Sequence, residues 1–266
     1  NRTRDSTRVE RLFFRSPSRT RRARPHAMLK ALFLLLNFAK LGPILKTGGT
    51  MIISVFAYAW LFGWRYAVGF VLLIFVHELG HYLSAKRAGL NVGAPTFIPF
   101  VGAWIELKDQ PMDARVEARI ALAGPVAGTI GALVCYYVAR DSGSALLMAL
   151  AYSGFMLNLW NLLPVNPLDG GRIVAILSPK IGLIGGPILG VLLFTRPSPM
   201  PFLILIMALP SIWSVWRGTW QESLPPGYYD QPIEVKLQYG TAYLGLAIFL
   251  AMMSNGVHEQ PAHLRT

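Results

Sequence analysis

The chain has 266 residues, of which 53% are hydrophobic and only 14% charged, and its mean hydropathy is +0.44. Soluble domains average roughly 25% charged residues, so this composition excludes an ordinary soluble enzyme and a disordered chain, and it points to a bilayer. One cysteine, Cys135, excludes an intramolecular disulfide and a four-cysteine zinc site.

The net charge of +12 is unevenly placed. Residues 1–27 hold nine arginines against Asp5 and Glu10, a local balance of +7. A basic arm directly before apolar sequence suits anionic lipid headgroups better than nucleic acid, and no nucleic-acid partner is expected. The arm also has the Arg-rich, acid-poor composition of an organelle transit peptide. The abrupt change at Met28 favours a disordered tail, or read-through ahead of a start there.

Residues 28–46 are interrupted by Lys30, Lys40 and Lys46 and read as an interfacial amphipathic helix. Beyond them the spans predicted are 48–62, 66–85, 118–139, 144–163, 181–195, 200–216 and 238–255. The fold class expected is an all-α polytopic membrane protein of about six to seven transmembrane helices, since each needs ~20 apolar residues. Between the second and third spans, Pro95–Phe100 and Ala103–Leu107 flank Gly102 and predict a small β-hairpin or edge strand near 94–107. The organisation expected is a basic arm (1–27), the interfacial helix (28–46), a catalytic membrane core (47–178), further transmembrane helices (179–257) and a tail (258–266). The arm, with Lys40 and Lys46, places the N-terminus in the cytoplasm, and Lys86 and Arg87 return the second span there.

That second span contains His77-Glu78-Leu79-Gly80-His81, an HExxH motif. On a helix, residues four apart share a face, so both imidazoles can reach one metal. Zn²⁺ accepts imidazole nitrogen and lowers the pKa of a bound water toward ~7. Glu78, next to the first ligand, is placed to act as general base. The bland alternative, two helix histidines at an interface, leaves Glu78 unexplained. An ionisable residue at mid-bilayer costs ~2.5–3.5 kcal/mol or more.

A third protein ligand is required. Arg87 occupies the place of a third histidine six residues on, so the candidates are Glu106, Glu117 and Asp169. Asp169 is the strongest, because Pro164, Pro167, Gly170 and Gly171 mark irregular backbone around it. Irregular backbone at membrane depth must be buried in protein or line a wet cavity. As a loop residue alone, Asp169 would read as a turn or an N-cap. Topology adds an independent reason: two crossings separate the motif from Asp169, which returns it to the same side.

With these residues in place, the sequence resembles the site-2 protease family of intramembrane zinc metalloproteases. The resemblance covers roughly residues 48–178 and is carried by His77–His81 and by the run Asn161 to Arg172, which contains Asn166-Pro167-Leu168-Asp169-Gly170-Gly171. Phe97–Ala103 and Gly124-Pro125 are similar to bacterial members. The resemblance implies one zinc per chain, held by His77, His81 and Asp169, with Glu78 as catalytic base. It also implies membrane-protein substrates cut within or near their transmembrane segments, in regulated intramembrane proteolysis. Two departures stand out. Gly128 lies where many members carry Asn, and 88–117 is too short for an inserted PDZ module.

Asn158 and Asn161 precede the Asp169 loop and are candidates for oxyanion or substrate contact, against plain interhelical packing. Gly102 and its hairpin could pair with an unwound substrate strand, or form only a lid. Two other classes compete with a protease. A catalytically silent scaffold would have no use for Glu78. A metal transporter would need a polar path that spans five to seven lack.

Overall fold

The computed structural model describes residues 25–258 apart from 101, 106–107, 196–198 and 223. Most of the basic arm, Glu106 and the tail from 259 onward lie outside the described residues. The chain divides into two units, Asn1–Gly42 and Pro43–Thr266, and everything that follows on packing concerns the second.

Helix α1 (Pro25–Phe62) takes in both the 28–46 and the 48–62 stretches, which the sequence separates. Lysine is a good helix former, so it ends a hydropathy run without ending a helix. Gly63, at φ +82°, turns the chain into α2 (Trp64–Arg87). The predicted hairpin is present as β1 (Thr96–Ile98) and β2 (Gly102–Trp104), antiparallel, with Phe97 opposite Ala103 and Ile98 opposite Gly102. It is pinned to α1: Thr47 donates to the Pro95 carbonyl at 2.7 Å, and Tyr58 accepts from the Phe100 amide at 3.1 Å.

Helix α3 (Ala114–Ser142) starts at Asp113, whose carboxylate accepts from the Val116 amide at 2.8 Å. Such a cap satisfies an amide the helix cannot. Ser144 caps α4 (Ala145–Asn161) in the same way. Then follow the short α5 (Asp169–Ala175), α6 (Gly182–Thr195), α7 (Pro199–Arg217) and α8 (Ile233–His258).

Among the described residues, four helical segments are long and apolar enough to cross a bilayer: Gly42–Phe62, Trp64–Arg87, Ala114–Ser142 and Ile233–His258. Ala145–Asn161, Pro179–Thr195 and Pro201–Arg217 are apolar but shorter. The all-α fold expected is present, with these four long apolar helices, three shorter ones and the small hairpin. The stretch predicted as the fourth span ends at Asn161, because the loop that carries Pro164 and Pro167 must leave the helix to present Asp169.

Helix α3 is the spine of this unit. It packs on α2 through Gly124 and on α4 through Gly128 and Ala132, all buried. Without a hydrophobic drive between helices in lipid, small residues that admit close backbones hold them together. Phe155, Leu162, Ile173 and Leu250 extend the core across α4, α5 and α8. The Tyr243 hydroxyl of α8 donates to the Leu162 carbonyl at 2.7 Å and ties down the loop before α5. The outer faces show Ile52, Trp60, Phe194 and Trp216, as suits a lipid surround.

Candidate metal centre

One turn of α2 separates His77 from His81, and their Nε2 atoms lie 3.1 Å apart. Asp169, the first residue of α5, brings Oδ2 to 3.2 Å from His77 Nε2 and 3.3 Å from His81 Nε2. Among the described residues these three form the group able to hold a metal. His77 is 3% exposed and Asp169 8%. The carboxylate of Asp169 serves the imidazoles and caps no amide of its own helix.

The donor set fits zinc on its own chemistry. His81 Nδ1 lies 2.8 Å from the Ile120 carbonyl oxygen of α3. A carbonyl only accepts, so Nδ1 carries the proton and the neutral ring turns a lone pair inward at Nε2. Two imidazole nitrogens and a carboxylate oxygen therefore converge. Bonds of ~2.0–2.1 Å in a tetrahedral site imply ligand separations of about 3.3 Å, close to those found. Gly124 keeps the approach open, since a Cβ there would fall 2.1 Å from His81 Nε2.

The glycines after Asp169 are steric necessities. A Cβ at Gly170 would meet the Leu162 carbonyl oxygen at 2.2 Å, and one at Gly171 the Asn166 amide nitrogen at 2.3 Å. Helix α5 thereby nests under the 162–166 loop, and this seats Asp169 against α2.

The centre opens into a cavity of about 540 Å³ that runs along α2 to Tyr66, whose hydroxyl pairs with Ser153 at 2.6 Å. Glu78, 8% exposed, lines it, as do Gly102 and Ala103 of β2, Asn161 of α4, Arg172 of α5 and Met207 of α7. Gly102, at φ +122°, holds a backbone that only glycine adopts easily.

Other candidates part from the centre. Both polar atoms of Asn158 are turned inward rather than into the cavity: Oδ1 lies 2.8 Å from His77 Nδ1, and Nδ2 donates to the Gly154 carbonyl at 2.7 Å. The hydrogen-bonding groups of Asn158 are thus engaged inside the protein. The departure at Gly128 belongs to the same place, since a Cβ there would sit 2.3 Å from Asn158 Oδ1. Glu117 stands outside the ligand group. Its Oε1 lies 3.6 Å from Arg172 Nε, and its Oε2 accepts from the Tyr228 hydroxyl at 2.9 Å. Burial and then the Glu117 charge push the Tyr228 phenol well above its ordinary range, and the same two causes push Tyr229 up to about 12. The sequence gives no sign of the Glu117–Tyr228 link, made across 111 positions. For Asn158 the one signal is an amide side chain in a largely apolar helix.

Comparison with known proteins agrees with this geometry. Residues 65–143 match peptidase family M50. The zinc metalloprotease MJ0392 of Methanocaldococcus jannaschii is 36% identical over 128 residues, which cover 45% of this chain and 37% of that protein. Over these residues the chain is similar to peptidase family M50, the site-2 proteases. Rip3 of Mycobacterium tuberculosis is 35% identical over 123 residues, 43% of this chain and 31% of Rip3. The chain thus spans about a third of the length of these curated relatives. The solved site-2 protease from Methanocaldococcus jannaschii gives a TM-score of 0.41 at 25% identity, over 64% of this chain and 86% of that one. With its apolar helices, the chain is an integral membrane protein.

Proposed function

We propose that the chain is an intramembrane zinc endopeptidase that hydrolyses peptide bonds in transmembrane or membrane-proximal segments of other membrane proteins. The supporting observation is the convergence of His77 Nε2, His81 Nε2 and Asp169 Oδ2 within 3.3 Å, at the end of a cavity lined by Glu78.

When bound, zinc supplies a Lewis acid and makes water a competent nucleophile near neutral pH. His77, His81 and Asp169 would hold it. Glu78 takes the proton of the attacking water on its carboxylate, while a C–O bond forms at the scissile carbonyl. The C–N bond then breaks, and Glu78 returns the proton to the leaving amine. Burial of these groups strengthens every electrostatic contact among them.

From Tyr66 to His81 the cavity follows sixteen residues of α2, a rise of roughly 22 Å. An extended peptide of about six to seven residues fills that length. Gly102 and Asn161 are assigned to the substrate strand, β2 through its backbone and Asn161 through its amide. The positive-inside reading puts the active site and the N-terminus on the cytoplasmic side, and the basic arm against anionic headgroups.

The test is zinc stoichiometry of detergent-purified protein beside the His77→Ala/His81→Ala double variant. About one zinc per wild-type chain, lost in the variant, is expected. A well-folded wild type that takes up no supplied zinc would overturn the reading in favour of a silent scaffold.

A further inference from the structure

Asn158 is 1% exposed in the last turn of α4, and its amide faces the first metal-facing imidazole across the helix interface. Its orientation follows from chemistry. The Gly154 carbonyl, 2.7 Å from Nδ2, can only accept, so the NH₂ end of the amide belongs there. The oxygen end therefore meets His77 Nδ1 at 2.8 Å, and it too can only accept. His77 must carry its proton on Nδ1 to make this bond.

The choice matters because a competitor stands on the other side of the ring. Asp169 Oδ2 lies 3.2 Å from His77 Nε2 and would draw the proton to that nitrogen. A ring protonated there points an N–H where a ligand lone pair is needed. We infer that Asn158 is a positioning residue for the metal centre, holding His77 in the Nδ1–H tautomer with Nε2 free to ligate, rather than a group that contacts substrate. Gly128 belongs to the device. It leaves the space the amide fills, since its Cβ would lie 2.3 Å from Oδ1 and 2.6 Å from Nδ2 of Asn158. The inference rests on the metal-centre reading of His77, His81 and Asp169.

The experiment compares wild type, Asn158→Leu and Asn158→Asp in detergent. It measures zinc affinity by chelator competition and the His77 tautomer by ¹⁵N NMR of the metal-free protein. The leucine variant removes the acceptor at similar volume; the aspartate variant keeps it. Outer-shell partners of metal-bound histidine are worth about 10–100-fold in affinity. A loss of that size in Asn158→Leu, with the His77 proton moved to Nε2, and zinc affinity close to wild type in Asn158→Asp, is the expected result. Unchanged zinc affinity and tautomer in a folded leucine variant would overturn the inference, whether or not peptide cleavage fell. Should that variant fail to fold, Gly128→Ala displaces the amide from α3 without altering residue 158. Wild-type zinc affinity and an Nδ1–H ring in that variant would likewise overturn it. A wild type that binds no zinc defeats the metal-centre reading instead, and the tautomer measurement then decides the Asn158–His77 link by itself.

Discussion

His81 Nδ1 sits 2.8 Å from the Ile120 carbonyl oxygen, so a backbone group of α3 orients the second imidazole of the α2 motif. The motif is local to one helix, but its working geometry is held by that helix's neighbours. Close approach of α2 and α3 is therefore a condition of function as well as of packing.

Gly124→Ala tests this directly. The new Cβ would lie 2.1 Å from His81 Nε2, and the ring cannot tip away without breaking its bond to Ile120. Zinc affinity should fall at least about tenfold, in the range seen when a ligand's orientation is lost. Chelator competition measures it, and circular dichroism should show the helices intact.

Glu78→Gln should separate binding from chemistry. The amide keeps the shape but cannot take a proton from water. Zinc stoichiometry should remain near one per chain, while cleavage of a membrane-protein substrate falls by about 10²–10⁴-fold. Cleavage at the wild-type rate would remove Glu78 as the base.

Asp169→Ala should weaken zinc binding strongly, because three protein ligands are the fewest a catalytic zinc site keeps. Unchanged stoichiometry and affinity would mean that a residue other than Asp169 completes the set. Glu117 is not expected to do so, as it is engaged by Arg172 and Tyr228.

Tyr228→Phe probes the tie that runs from the loop before α8 through Glu117 to Arg172 on α5. A hydrogen bond to a charged group contributes about 1.5–3 kcal/mol, less where solvent reaches it, so a loss of about 1–2 kcal/mol is expected in thermal unfolding near pH 8. The pH dependence follows from the raised phenol. A group whose folded pKa is raised contributes stability that is whole below its unfolded value, near 10 for tyrosine, and is lost as pH rises beyond it. Wild-type stability should therefore decline above about pH 10, and more steeply than that of the Phe variant.

Much of the site was legible in the sequence for a physical reason. His77 and His81 are four apart, and helical periodicity alone puts them on one face. Glu78 is conspicuous because an ionisable group in an apolar helix needs a purpose. Asp169 is flagged by the prolines and glycines around it. The hairpin was legible from β-prone residues on either side of Gly102. The ends of individual helices were less so. Hydropathy measures apolar length and cannot see that 144–163 must stop at Asn161 to build a loop, or that α1 runs through its lysines.

The sequence by itself determined the metal-binding chemistry and the membrane setting, because both depend on residue type and on spacing along one element. The tertiary structure decided which groups hold the ligands in place. It gave His81 a backbone carbonyl from α3 and His77 an amide from α4, and it removed Glu117 from the ligand set by pairing it with Tyr228. It also fixed the meaning of single glycines, Gly124 and Gly128 above all, whose missing side chains are required only by what stands opposite. These relations join residues 39 to 111 positions apart, and no local pattern carries them. They exist because small residues along α3 let three helices approach closely enough for one helix to orient the side chains of another.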